Sequence, residues 1–338
     1  MTRFIATRLA IMPLLLWGVV TVAFLLSHAV ARNPLASIVG ERNLNNPAIV
    51  EAATQRWGLD QSLGTQYLIY LNNLVLHADL GTSIRTKSPV ATDLADRLPA
   101  TLELALLALV FATVIGVLLG VVAAQLRGGF IDGMLRVVAL LGSSLPVFWL
   151  GLIALFIFYV QLDIAPGPGR LSARVDPPPH VTGFYTVDAL LSGNMPLFSD
   201  ALAHLVMPAL IMSLALLGTV LRLTRTHVID ETSSDYVRTA RAKGLSRSQA
   251  MYRHALKNAI TPVITIVGLS IGMLIMGAVL IETIFNWGGI GTYAVESARS
   301  LDFPAITGVC LVGGVIFLLS NLATDVTYAV IDPRVRLS

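Results

Sequence analysis

Residues 235–262 read DYVRTARAKGLSRSQAMYRHALKNAITP, a polar, basic segment set between two long uncharged apolar runs. Its basic residues Arg238, Arg241, Lys243, Arg247, Arg253 and Lys257 stand against a single acid, Asp235. An excess of positive charge this close to a membrane-spanning run marks a cytoplasmic loop. Tyr236 to Lys243 carries good helix formers, with Ser233, Ser234 and Asp235 available as N-caps and Gly244 placed where a helix ends in the left-handed conformation. Ser246 followed three residues later by Gln249 is a capping-box pattern, which predicts a second helix from about Arg247 to Pro262. Pro262 itself suits the first turn of the next element. The grammar is helix, glycine turn, helix, which an idle orientation signal would not need.

The composition outside this segment is that of an integral membrane protein. Of 338 residues, 55% are hydrophobic and only 13% charged, against about 25% charged in soluble domains. The net charge of +3 calls for no nucleic acid, because the basic residues gather beside apolar runs and not on a surface interleaved with aromatics. The single cysteine, Cys310, lies in an apolar run, which excludes an intrachain disulfide and any thiolate-built zinc or iron–sulfur site. His28, His77, His180, His204, His227 and His254 are scattered without metal-ligand spacing. No GxxxxGK[S/T] phosphate loop occurs, so an ATPase that drives this chain must be another polypeptide.

Uncharged stretches long enough to cross about 30 Å of hydrocarbon at 1.5 Å per residue number six: Leu9 to Ser27, Leu104 to Leu126, Val137 to Leu162, Ala201 to Leu221, Asn258 to Ile281 and Phe303 to Thr324. The first follows Arg3 and Arg8 and precedes Ala29-Val30-Ala31, a triplet like a signal-peptidase site, and is read as a retained anchor. Six spans place both termini on one side. With that side inside, fourteen of the 23 Lys and Arg residues fall in cytoplasmic pieces, so both termini are expected in the cytoplasm. The expectation is one all-α polytopic membrane domain over residues 1–338, with outer regions at 28–103 and 163–200 and a cytoplasmic loop at 222–257.

The outer regions are not featureless. WGLDQSL at Trp57 to Leu63, an apolar patch from Tyr67 to Leu76 and DLGTS at Asp79 to Ser83 suggest short helices over the outer mouth. The second region opens with APGPGR, which resists regular helix, and Asp188 to Leu191 can begin a short one. After the fifth span, Phe285 and Trp287 fit an aromatic belt at the interface. Ionisable residues in or beside spans are functional candidates. Glu103 and Glu282 are expected near the outer interface, where water stabilises them, whereas Asp325 lies within the last span with Asn321 one turn earlier, placed to line a polar path or to bond a neighbouring helix.

Several of these segments resemble one family, the permease subunits of binding-protein-dependent ABC importers. Their cytoplasmic coupling loop reads Glu-Ala-Ala, three residues, Gly, nine residues, Ile, one residue, Leu-Pro. Aligning its glycine on Gly244 puts Arg238, Thr239 and Ala240 at the first three positions and His254, Leu256 and Lys257 at the last, with literal matches at Ala240, Gly244 and Leu256. The dipeptide and oligopeptide branch reads Arg-Thr-Ala-Arg-Ala-Lys-Gly here, as residues 238–244 do. WGLDQSL, DLGTS, HVTGFYTVDALL at 180–191 and the end NLATDVTYAVIDPRVR are similar to that branch as well. LIETIFNWGGIG at 280–291 resembles its Glu-x-Ile-Phe-Asn-Trp-Pro-Gly-Ile-Gly, with Gly288 in place of proline.

The resemblance implies the six-helix type I ABC importer permease fold in a bacterial cytoplasmic membrane. It implies a second, homologous permease subunit, two ATPase subunits that bind ATP and Mg, and an extracytoplasmic binding protein that delivers peptides. Tyr236, Arg238, Thr239, Ala240, Lys243, Gly244 and Leu245 would then engage an ATPase subunit. Relatives in the same branch are associated with nickel, glutathione or haem, and no residue in the sequence selects the cargo.

Two readings from other classes have a sequence basis. An ion-coupled secondary transporter would use intramembrane acids and show internal repeats, which are not visible here. Gly268-Leu269-Ser270-Ile271-Gly272 matches a hydrolase nucleophile elbow, but it lies mid-span with no strand before it. Gly268 with Gly272, like Gly116 with Gly120, reads more simply as a small-residue surface for close helix packing.

Overall fold

The computed structural model describes residues 2–30, 45–57 and 60–331. In chain order the helices are α1 (Thr2–Val30), α2 (Pro47–Trp57), α3 (Leu63–His77), α4 (Val90–Gln125), α5 (Phe130–Ser144) and α6 (Val147–Ala154), which continues as a π-helical segment over Leu155–Gln161. They are followed by α7 (Tyr185–Leu191), α8 (Met195–Thr232), α9 (Asp235–Ala242), α10 (Arg247–Ala250), a π-helical segment at Met251–Ala255, α11 (Leu256–Ala259), α12 (Thr261–Ile284), α13 (Ile290–Arg299) and α14 (Phe303–Ile331). Among the described residues, β pairing is limited to the isolated bridge between Thr82 and Pro89.

Helices α4, α8 and α12, and Phe303–Thr324 of α14, are long and apolar enough to cross a bilayer. The described apolar part of α1, Ala10–Leu25, is shorter than that. The expected third span is not straight: α5 and the α6 segment meet at 105°. Pro146 lacks an N–H and disfavours helical geometry in the residue before it, and Leu145 accordingly adopts extended backbone at φ −81°, ψ 140°. Among the described residues the helices long and apolar enough to span therefore number four, or five if the bent pair is one span, beside the shorter apolar stretch of α1.

Helix α8 shows why counting uncharged residues shortens a helix. Its 38 residues rise about 57 Å at 1.5 Å each, well beyond the roughly 30 Å of hydrocarbon. Arg222 and Arg225 end the apolar run but are good helix formers, so the helix passes through them to Thr232.

The chain divides into two compact units, one built on Leu102–Trp287 with the chain from Leu319 onward, the other on Thr2–Thr101 and Gly288–Leu318. In the first, Leu135 and Ala139 of α5 pack with Leu216, Leu217, Val220 and Leu221 of α8, Ala112 and Ala123 of α4, and Val263 of α12. Small residues let the backbones meet: a side-chain carbon at Gly120 would stand 2.6 Å from Thr224 and 2.8 Å from the Leu221 carbonyl oxygen, and one at Gly218 would run into the Ala139 carbonyl. In the second unit, Val90 and Leu94 pack with Ile290, Tyr293 and Ala305. There the DLGTS segment is held by the Ser83 hydroxyl, which donates to the buried Asp302 carboxylate at 2.5 Å.

Candidate coupling site

The first helix, the glycine turn and the start of the second helix are where the sequence predicts them, but the second helix does not run unbroken to Pro262: it is interrupted by the π-helical segment at Met251–Ala255 and ends at Ala259. Ser234 occupies the N-cap position of α9, with its hydroxyl turned back to donate to the Glu231 carbonyl. At the other end, the Gly244 N–H donates to the Arg241 carbonyl at 3.0 Å and the Leu245 N–H to the Ala240 carbonyl at 3.3 Å. This pair is the Schellman closure, which needs its middle residue left-handed, and Gly244 has φ +97°. Ser246 and Gln249 form the reciprocal capping box that starts α10 at Arg247.

A small apolar core holds the two arms together: Val237, Ala250 and Ala255 are buried, with Leu245 packed against them. Ala240 is buried on the same inward face of α9. Of the predicted site residues, Tyr236, Arg238, Thr239, Lys243 and Gly244 are exposed and Leu245 is half-buried. Ala240 therefore packs into the loop's own interior. Arg238 also makes an exposed ion pair with Asp235 at 3.4 Å, a contact of little energetic weight because water screens it.

The loop is fastened to the helices that lead into and out of it. The Tyr236 hydroxyl donates to the Glu231 carboxylate at the end of α8 and accepts from the Asn258 amide at 3.0 Å. Burial, and then the bond to Glu231, push the Tyr236 phenol above its ordinary range, so it remains the donor at neutral pH. Gln125, the last residue of α4, donates from its amide to the Tyr252 hydroxyl at 3.1 Å. Met251 and Ala259 are buried with Val121, Ala124 and Val228. The π-helical segment at Met251–Ala255 falls at this seat; π segments inside α-helices often mark functional positions.

Other polar groups are placed differently from expectation. Glu103 is buried and is stabilised by protein, not by water: Arg170 Nη2 donates to it at 2.7 Å, and the Thr186 N–H and hydroxyl at 2.9 and 2.7 Å. Arg170 lies over the Tyr185 ring, 3.4 Å from its centroid. Glu282 is fully buried. Phe285 and Trp287 are buried too and do not form an exposed belt. Asp188, in the first turn of α7, is buried and accepts from the Thr182 hydroxyl and N–H at 2.7 and 2.8 Å and from the Gly183 N–H at 2.9 Å.

Asn321 is half-buried on α14, and the side chain of Asp325 lies outside the described residues. Ser270 sits inside α12, where its hydroxyl donates to the Ile266 carbonyl at 2.7 Å, the ordinary back-bond of a helical serine and not an exposed elbow. Among the described residues, no group of three or more His, Cys, Asp or Glu side chains is placed to hold a metal ion. The sequence reading missed the pairing of the buried Asp132 with the partly buried Arg225, as it missed that of Glu103 with Arg170; Asp132 and Arg225 are 93 positions apart, and only the fold brings them together.

This architecture, apolar helices able to span a membrane with an ordered basic loop, is that of a polytopic membrane protein, and the sequence comparisons say of which kind. Residues 116–337 match the family described as "Binding-protein-dependent transport system inner membrane component", and residues 1–105 match the N-terminal region described for the same kind of component. The chain belongs to this family and is a multi-pass inner-membrane component of a binding-protein-dependent transport system.

Its relatives are permeases over almost their whole length. The chain is 46% identical to the probable D,D-dipeptide transport system permease protein DdpB of Escherichia coli K12, across 94% of this chain and 93% of that one. It is 40% identical to the di/tripeptide transport system permease protein DppB of Pseudomonas aeruginosa UCBPP-PA14, across 99% of both. The dipeptide transport system permease protein DppB of Escherichia coli K12 is 36% identical across 99% of both.

Proposed function

We propose that this chain is one of two permease subunits of an ATP-driven importer and forms half of the translocation pathway for short peptides delivered by an extracytoplasmic binding protein. The observation that carries this reading is the near full-length similarity to peptide permeases, including two named for dipeptides and one for di- and tripeptides. ATP and Mg would be bound by two separate ATPase subunits, because this sequence contains no phosphate loop. Both termini and the basic loop would face the cytoplasm.

In this mechanism the loop is a rigid two-helix knob. Tyr236, Arg238, Thr239 and Lys243 present its outer surface, Gly244 closes the turn, and Ala240 and Leu245 hold its interior. When ATP binding draws the ATPase subunits together, the knob moves with the one it engages, and its bonds to Glu231, Asn258 and Gln125 pass that motion to α8, α11 and α4. The pathway between the two permeases then opens alternately to each side. The outer loop held by Glu103, Arg170 and Asp188 would face the binding protein.

The test is uptake in cells lacking and carrying the chain, using a labelled L,L-dipeptide, a D,D-dipeptide and a tripeptide beside nickel, glutathione and haem. Peptide uptake that depends on the chain and stops on ATP depletion is expected. Uptake of nickel, glutathione or haem without peptide would move the cargo assignment, and uptake sustained by an ion gradient without ATP would remove the ATP-driven reading.

A further inference from the structure

We infer that the ion pair between the buried Asp132 and the partly buried Arg225 is a positioning element of energy coupling, joining the bent third span to the helix that enters the coupling loop. The inference rests on the importer reading above, and begins from the geometry of one carboxylate. Asp132 stands in the first turn of α5 and is 1% exposed. Its Oδ1 accepts from Arg225 Nε at 2.6 Å and its Oδ2 from Arg225 Nη2 at 2.8 Å, a parallel two-bond fork. The Gly128 N–H adds a third bond to Oδ2 at 3.0 Å, and Arg136 Nε lies 3.6 Å from Oδ1.

The fork fixes direction as well as distance, since a planar guanidinium bonded twice to one carboxylate cannot swivel without breaking a bond. Arg225 is about two turns from the end of α8, and α9 begins three residues beyond that end. Further along the same two helices, Gly218 rests on the Ala139 carbonyl, and a side-chain carbon at Gly142 would stand 3.2 Å from the Leu214 carbonyl oxygen. The three contacts, 132 with 225, 139 with 218 and 142 with 214, follow one antiparallel register. Backbones that touch in this way do not slide continuously past one another, because packed interfaces shift between discrete arrangements.

Helix α5 is therefore expected to travel with α8, and the ion pair locks them at the end where the coupling loop delivers its motion. Beyond the lock, the chain breaks by 105° at Leu145–Pro146. Movement of α5 would change that angle, which makes the bent span the part of the pathway that the loop addresses. Neither Asp132 nor Arg225 is asked to touch the peptide or the nucleotide.

The test compares Asp132→Asn, Arg225→Lys and the exchanged pair D132R/R225D in the complete complex reconstituted with its binding protein. Three quantities are read: the amount of assembled complex, ATP hydrolysis, and dipeptide imported per ATP. The expected result for Asp132→Asn is a drop of about tenfold in peptide per ATP, the size of a typical coupling between sites, with hydrolysis retained. Arg225→Lys keeps the charge and loses the fork, so a smaller drop is expected, and the exchanged pair should recover part of the ratio. A purely architectural pair would lower the amount of complex and leave peptide per ATP unchanged in what assembles; that result in Arg225→Lys or Asp132→Asn overturns the inference. A wild-type complex without ATPase subunits would overturn the importer reading too, and would be seen before any variant is made.

Discussion

Gly244 concentrates the coupling argument in a single residue. Its φ of +97° is a conformation L side chains rarely adopt, yet a side-chain carbon there would meet nothing within 4 Å. The constraint is therefore backbone geometry inside the chain and free surface outside it. Gly244→Ala should cost the loop about 1–2 kcal/mol, the penalty of a left-handed non-glycine residue, and should transport more weakly. Gly244→Trp adds bulk where a partner would dock, so uptake should be lost while the protein stays in the membrane and the ATPases still hydrolyse; uptake assays beside ATPase assays decide it, and normal uptake would contradict the assigned role. This glycine was legible in the sequence because its requirement is local. The Asp132–Arg225 pair was not, because each residue alone reads as an ordinary charge at the end of a span. Asp188 supplies a pH prediction of known sign. Burial opposes its charged form, but the bonds from Thr182, Gly183 and Val181 outweigh burial and hold its carboxyl below the usual range. Its folded pKa thus lies below the unfolded value of about 3.9, so its stabilisation is complete above that value and is lost as pH falls through the folded pKa. Protection over residues 181–192, the observed hydrogen exchange relative to the intrinsic rate at each pH, should be high and flat from pH 8 to about 5 and fall in stronger acid, whereas Asp188→Asn should be less protected throughout and lose that acid step. Equal protection in both proteins at every pH would remove Asp188 as the organiser of this loop.

The helices are held by backbone proximity, and the glycines on α4 and α8 are its means. Gly218→Leu would drive a side chain into the Ala139 carbonyl, with an overpacking cost of roughly 1–3 kcal/mol or more. Gly277→Leu is the matched control, since nothing lies within 4 Å of that position; it should change stability by no more than about 0.5 kcal/mol. Thermal unfolding in detergent should place Gly218→Leu clearly below wild type and Gly277→Leu beside it, and an unshifted Gly218→Leu would mean that the close contact is dispensable. At this scale the sequence located the apolar runs, because lipid demands uncharged length, and the glycine pairs foretold close packing. Pro146 alone did not announce the bend at Leu145–Pro146, since membrane helices tolerate proline and Pro13, Pro99 and Pro208 all lie inside continuous helices of this chain. Nor did the sequence show the π-helical segments at Leu155–Gln161 and Met251–Ala255, because a shift from i+4 to i+5 bonding has no residue signature. The expected aromatic belt failed for a related reason: Phe285 and Trp287 are apolar enough for lipid, but protein covers them.

As a whole, the chain is a multi-pass membrane component of a binding-protein-dependent transport system. It carries spanning helices, one ordered basic loop and a family membership that ties it to a binding protein, while its sequence lacks a phosphate loop. Its central claim is therefore about company. Tagged protein purified from native membranes in mild detergent should bring with it, in stoichiometric amount, a second permease subunit and ABC ATPase subunits, and the purified assembly should hydrolyse ATP. A chain that emerges alone, or only with copies of itself and without ATPase, would contradict the coupling role given to the loop around Gly244 and would place ion-driven transport first.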